Sequence, residues 1–316
     1  MRVGVAGLGK MGTAIAFRLK DAGFEVSCWN RSVPQGLAAD LVRVQSPRAL
    51  CEQNDIVISC IFDDAAATAV YCGDEGLLDA ARGKTFVEMS TLRPATQALL
   101  AEAVRGAGGA FIECPVGGTT GPARSGELLG FVGGEAAELD RARPVLEKLC
   151  RRIELVGPVG AGSLVKLAVN LPLLVFWQAF GEALALVRGL GKDPAWMVQL
   201  FSDTAGASNV LKAKAASVAA ALAGKEVTAT YSIDTMRKDL RTILEQGGDM
   251  ELALPLASQA LAAFDEAYMA GFGSRDCSFA PAFWAALQAG AAADPAASGS
   301  GGDEARQDVG ASPSWL

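Results

Sequence analysis

Lys166 and Asn170 stand four residues apart in the run Gly160-Ala161-Gly162-Ser163-Leu164-Val165-Lys166-Leu167-Ala168-Val169-Asn170. On a helix that spacing puts them one turn apart on the same face. An ammonium among leucines and valines must reach water or be held by partners, because an unpaired buried charge is costly. Two readings follow: a lysine that moves a proton at a reacting oxygen, or a snorkelling lysine at the edge of a core helix. The chain contains no histidine, which removes Ser-His-Asp hydrolysis, Cys-His proteolysis and His-assisted dehydrogenation. Acid–base chemistry must therefore rest on Lys, Asp, Glu, Tyr or Cys. Cys28, Cys51, Cys60, Cys72, Cys114, Cys150 and Cys277 are scattered without a C-x-x-C pair. They read as reduced packing thiols of a cytoplasmic protein, and no metal site is expected.

The elements that position these residues begin at the N-terminus. Residues 3–6 read as a strand, followed by the turn Gly7-Leu8-Gly9-Lys10-Met11-Gly12 and a helical run over 13–20. A G-x-G-x-x-G turn between strand and helix is the dinucleotide-binding arrangement, with the pyrophosphate resting on the helix N-terminus. The next strand, 24–29, ends in Asn30-Arg31-Ser32, where enzymes selective for NAD carry an acidic residue for the ribose. An arginine between short polar side chains suits a 2′-phosphate instead, so NADP(H) is expected over NAD(H), with NAD possible.

Further strands over 55–60, 85–88, 110–113 and 128–132 alternate with Ala-rich helical segments such as 94–106. This alternation predicts an α/β fold with a mainly parallel, doubly wound sheet of Rossmann type. Ligands gather at the carboxyl ends of such strands. Ile61 and Phe62, Ser90-Thr91, and the loop Pro115-Val116-Gly117-Gly118-Thr119 all fall there. The last is glycine-rich, with N–H groups able to cradle a carboxylate, although both turns suit a purely structural role equally well.

Strand patterns stop after residue 156, and a domain boundary is expected near 160. Residues 1–160 then form the NADP-binding domain and 161–289 an all-helical substrate and oligomerisation domain, with 290–316 a disordered tail rich in Ala, Gly and Ser. Helices are expected over 163–189, 194–201, 232–246 and 255–270, with Pro172 kinking the first or breaking one of its hydrogen bonds. Lys166, Asn170, Gln178 and Glu182 interrupt the apolar stretch 164–187, arguing for a buried core helix over a membrane span. A strand starting at residue 2 leaves no signal peptide. The net charge of −7 offers nucleic acid no basic surface.

Taken in order, the Gly7-to-Gly12 turn, Ser90-Thr91 with Pro94, Glu113-Cys114-Pro115-Val116-Gly117-Gly118-Thr119, Gly162-Ser163-Leu164-Val165-Lys166-Leu167-Ala168-Val169-Asn170 and Lys238-Asp239-Leu240 resemble the β-hydroxyacid dehydrogenase family. This is the group of 3-hydroxyisobutyrate dehydrogenases and of semialdehyde and glyoxylate reductases, and the resemblance covers residues 1–288. It implies an NAD(P)-dependent oxidoreductase interconverting a small β-hydroxyacid and its semialdehyde or keto acid. By resemblance Lys166 is the general acid/base and Asn170 orients the substrate. Gly117, Gly118 and Thr119 anchor a substrate carboxylate, and Thr91 and Lys238 contact the cofactor. A homodimer or homotetramer is implied as well. Two departures stand out: the family's Pro-Val-Ser-Gly-Gly becomes Pro115-Val116-Gly117-Gly118-Thr119, and Val169 replaces a frequent second asparagine. An imine reductase of the same fold, in which the lysine is replaced, and a non-catalytic NADP-binding protein are the alternatives.

Overall fold

Two compact units, Met1–Val169 and residues 170 onward, make up the chain. The computed structural model describes residues 1–32 and 40–287, so the expected tail over 290–316 lies outside the described residues.

Short apolar runs in the first unit are buried on both faces, as strands covered by helices on either side must be. In chain order the strands are β1 (Arg2–Ala6), β2 (Glu25–Trp29), β3 (Val42–Arg43), β4 (Ile56–Ser59), β5 (Thr85–Glu88), β6 (Ala110–Glu113), β7 (Val116–Gly117), β8 (Leu128–Gly133) and β9 (Cys150–Gly157), of which β1, β4, β5, β6 and β8 carry such runs. The sheet runs β3-β2-β1-β4-β5-β6-β8-β7, with β9 beside β8. From β3 to β6 every pairing is parallel, whereas β8 runs antiparallel to β6 and β7 and parallel to β9.

Among the described residues the helices around this sheet are α1 (Lys10–Asp21), α2 (Pro47–Gln53), α3 (Asp64–Cys72), α4 (Pro94–Gly106), α5 (Thr120–Ser125) and α6 (Ala136–Leu149). Successive strand residues feed opposite cores. Val5, Ile58, Val87 and Ile112 pack with Ile15, Leu19, Val145 and Leu149 from α1 and α6. Ala6, Val57, Phe86 and Phe111 pack with Leu50, Tyr71, Leu100 and Val104 from α2, α3 and α4. This is the doubly wound arrangement, and the strand order reverses between β1 and β4. Such a switch point opens a crevice at the strand ends, where ligands bind.

The helix α7 (Ala161–Val187) starts in the first unit and continues into the second, so the units part within it, just beyond the sequence boundary near 160. It runs through Pro172 without breaking. Its length and composition would suffice to cross a membrane. Yet Asn170, Leu174, Trp177, Gln178, Gly181 and Leu184 are buried at three- and four-residue spacing, the stripe of a core helix. The second unit continues with α8 (Pro194–Ser202), α9 (Asn209–Leu222), α10 (Ile233–Asp249), α11 (Pro255–Ala267) and α12 (Phe279–Leu287). Asp193, Ser208 and Ser232 cap α8, α9 and α10 by accepting from Trp196, Leu211 and Thr235 N–H groups.

Candidate active site

The glycine turn after β1 is fixed by sterics. A Cβ on Gly7, whose φ is +93°, would lie 2.3 Å from the Cys60 carbonyl oxygen, and one on Gly12 only 1.9 Å from that of Gly7. Gly9 faces open space instead and forms the N-cap of α1, bringing no side chain to the first turn, which also lacks an acidic residue. A helix N-terminus left open in this way suits an anion, and a dinucleotide pyrophosphate fits it. Leu8 N–H donates to Asn30 Oδ1 at 2.8 Å, and Asn30 Nδ2 donates to the Ser32 carbonyl at 2.7 Å. Asn30 thus braces the turn against the end of β2. Lys10, Arg31 and Ser32 are exposed and Met11 is half-buried.

The carboxyl ends of β4 and β5 are laced together by a carboxylate. Glu88, fully buried, accepts from Ser90 N–H at 2.8 Å and from the Ser59 hydroxyl. Because Ser59 spends its proton on Glu88, the Tyr71 hydroxyl 2.7 Å away is the donor to Ser59. Ser90 Oγ in turn accepts from Ile61 N–H at 2.7 Å. Burial pushes the Glu88 carboxyl up, against the lowering effect of these hydrogen bonds. This network fixes the backbone of Ile61 beside exposed Phe62 and leads directly into half-buried Thr91.

After β6 the chain forms the anion-loop candidate. Gly117 and Thr119 are half-buried, and Gly118 is exposed with φ +128°. A Cβ on Gly117 would meet nothing closer than 3.7 Å, so packing does not demand glycine there. Thr119 stands at the N-cap of α5, but its hydroxyl does not cap the helix. Lys166, half-buried, sits in the second turn of α7.

In the second unit Asn170 and Lys238 meet at one carboxylate. Asp239 Oδ2 accepts from Asn170 Nδ2 at 3.1 Å and from the Tyr231 hydroxyl at 2.6 Å. Lys238 Nζ lies 2.7 Å from Asp239 Oδ1. Burial, and then the Asp239 charge, push the Tyr231 hydroxyl well up, so it stays a donor. Asp239 therefore sets which way the Asn170 amide faces.

The sequence-predicted residues fall into two groups. Gly7 to Gly12, Asn30 to Ser32, Ile61, Phe62, Thr91, Gly117 to Thr119 and Lys166 belong to the first unit, mostly at strand ends. Asn170 and Lys238 belong to the second and share Asp239. Sequence reasoning did not single out Glu88, Glu113, Tyr231 or Asp239 as site residues. One signal was available for the first two: Thr-Phe-Val-Glu88 and Ala-Phe-Ile-Glu113 each end a fully buried strand on a carboxylate, which is uncommon unless the charge has partners.

Residues 2–157 match the NAD binding domain of 6-phosphogluconate dehydrogenase, and residues 160–283 match the NAD-binding domain of NADP-dependent 3-hydroxyisobutyrate dehydrogenase. The chain is 30% identical to glyoxylate/succinic semialdehyde reductase 1 of Arabidopsis thaliana, over 88% of this chain and 96% of that protein. It is 32% identical to 3-hydroxyisobutyrate dehydrogenase of Pseudomonas aeruginosa, over 80% of this chain and 88% of the relative. The crystal structure of a 3-hydroxyisobutyrate dehydrogenase from Salmonella typhimurium superposes with a TM-score of 0.80 at 26% identity, covering 90% of this chain and 99% of that one. Dinucleotide turn, switch-point sheet, helical second unit and relatives aligned over nearly their full length agree: the chain belongs to the β-hydroxyacid dehydrogenase family and is an NAD(P)-dependent oxidoreductase acting on hydroxyl groups.

Proposed function

We propose that the protein interconverts a small β-hydroxyacid and its semialdehyde or keto acid with NADP(H), using Lys166 as the group that gives and takes the proton. The observation that carries this reading is Lys166 itself: a half-buried ammonium on an apolar helix, in a chain without histidine, one turn before an asparagine held by Asp239. When bound, the nicotinamide cofactor supplies or accepts the hydride. In reduction, charge grows on the carbonyl oxygen, and the Lys166 ammonium stabilises that charge and donates the proton. In oxidation the neutral amine takes the proton from the hydroxyl. Asn170, locked through Nδ2, orients the substrate, and Lys238 and Thr91 contact the cofactor. The N–H groups at Gly117, Gly118 and Thr119 hold the substrate carboxylate, the Thr119 hydroxyl standing in for the family's serine. Arg31 and Ser32, exposed at the end of β2, suit the 2′-phosphate of NADP(H). The enzyme works in the cytoplasm as a homodimer or homotetramer.

The test is NADPH oxidation with glyoxylate, succinic semialdehyde, methylmalonate semialdehyde and tartronate semialdehyde, beside the same assays with NADH. Turnover with at least one of the four and tighter binding of NADPH are expected; tighter binding of NADH would sink the role given to Arg31. Lys166→Ala should lose about 10²- to 10⁴-fold in kcat while keeping cofactor affinity, the usual worth of general acid–base assistance. Retained turnover would overturn the lysine assignment.

A further inference from the structure

Glu113 ends β6, and its carboxylate is fully buried. Oε1 accepts from Gly160 N–H at 2.5 Å and Gly162 N–H at 2.9 Å. Oε2 accepts from Ser163 N–H at 3.2 Å and Ser163 Oγ at 2.6 Å. All four donors lie at the start of α7, the helix that bears Lys166 one turn further on. The first N–H groups of a helix have no partners within it, and here a carboxylate from a strand some fifty residues earlier satisfies them. The approach is built for this. A Cβ on Gly133 would lie 2.2 Å from Glu113 Oε1, and one on Gly162 would lie 3.2 Å from it and 2.3 Å from the Phe131 carbonyl oxygen. Two glycines therefore clear the space that the carboxylate fills.

The same residue has a second attachment. Its backbone leads through Cys114 and Pro115 into Val116–Gly117, paired with β8, and so into the loop proposed to hold the substrate carboxylate. One side chain thereby couples the start of that loop to the first turn of the lysine helix.

We infer that Glu113 is a positioning residue: by clamping the N-terminus of α7 it sets where the Lys166 ammonium stands relative to the substrate loop. A carboxylate is suited to this because it only accepts, and all four groups facing it donate. A glutamine in its place turns an NH2 toward at least one of those N–H groups, so the helix end must shift. Displacement by about 1 Å at a reacting group can cost on the order of 10²-fold in rate.

This inference rests on Lys166 as the proton carrier, and a double-mutant cycle separates the two claims. Glu113→Gln should lower kcat by roughly 10- to 100-fold with NADPH affinity retained. Introduced into Lys166→Ala, it should lower the residual kcat no further, because no ammonium is left to misplace. An unchanged kcat in Glu113→Gln, or an equal loss with and without Lys166, overturns the inference. Full turnover in Lys166→Ala alone would instead refute the lysine assignment. Should Glu113→Gln fail to fold, judged by NADPH binding, Ser163→Ala removes one of the four bonds and carries the same cycle. Its expected result is a severalfold loss of kcat that vanishes in the Lys166→Ala protein, and a loss that persists there overturns the inference.

Discussion

At the residue scale, the packing around Gly117 would accept the serine that the family carries there. The φ of Gly117 is not in the left-handed region, and an added Cβ would have only ordinary contacts with Leu129 and Phe131 at 3.7 Å. Relative to the family's serine, glycine there lacks a hydroxyl. Gly117→Ser should therefore fold with stability within about 0.5 kcal/mol of the parent, as for a surface change that touches no special feature. It should change the ratio of kcat/KM values among the four candidate aldehydes, since an added or missing hydrogen bond to substrate alters discrimination. Gly118→Ser is the contrasting case. Its φ of +128° and a Cβ position 2.8 Å from Leu128 make that variant strained. Thermal unfolding and a substrate panel on both variants check the pair: equal destabilisation, or an unmoved specificity ratio for Gly117→Ser, would contradict this account of the loop.

At the scale of elements, a buried ion pair in the second unit ties α9 to the residue just before α12. Asp276, fully buried just before α12, binds Lys214 Nζ of α9 through both oxygens at 2.7 and 2.8 Å and accepts from Thr230 and Ser278 N–H groups. Burial alone pushes this carboxyl up, but Lys214 and those N–H groups overcome it and hold it down to about 2, against an ordinary 3.8. A depressed carboxylate stabilises the fold above its unfolded value and loses that contribution as pH falls toward the folded one. The window is therefore from about pH 4 down to about pH 2, and the amount about 2 kcal/mol. The stability gap between parent and Asp276→Asn should be constant at neutral pH and close across that window in denaturant titrations. A gap independent of pH would refute the coupling. Lys214→Met should cost about 3–5 kcal/mol at neutral pH, because it strands a buried charge.

Neither partner of that pair was visible in the sequence, because their meeting is made by packing across 62 residues. For Glu113 and Glu88 the buried strand endings gave a signal, but the donors at Gly160 to Ser163 and at Ser59 lie 47 to 50 and 29 residues away. The strands β1, β2, β4, β5, β6 and β8 were legible, since their apolar runs are what burial on both faces requires. The two-residue strands β3 and β7 were not, because neighbouring strands create them and local pattern does not. Likewise α7, α8, α10 and α11 declared themselves by apolar periodicity, whereas the Ala-rich run of α9 weakens that pattern despite its Ser208 cap. The glycine turn was legible because its chemistry is local, while Asp239 needed the fold to bring Asn170 and Tyr231 to it.

At the scale of the whole molecule, a proposed homo-oligomer is argued from the surface of the second unit. Leu186 is 88% exposed, Leu190 63%, Trp196 51%, Leu200 48% and Met269 82%. Single exposed apolar side chains are ordinary, but Leu186 lies in the last turn of α7 with Leu190 three residues past its end, and Trp196 and Leu200 share one face of α8. Another copy covering this region would need to bury about 1,200–2,000 Å² in total to form a stable pair. Each copy carries a net charge of −7, so long-range repulsion opposes the encounter, and added salt should tighten assembly by screening it. Light scattering at 0.15 M salt should give two or four times the chain mass of 32.6 kDa. Leu186→Glu combined with Leu200→Glu should shift the protein toward the single-chain mass and make the remaining assembly depend more steeply on protein concentration. A parent protein that scatters as one chain at micromolar concentration would remove the oligomer from the proposal. The charge variant should keep its secondary structure, because both side chains already face solvent in the isolated chain.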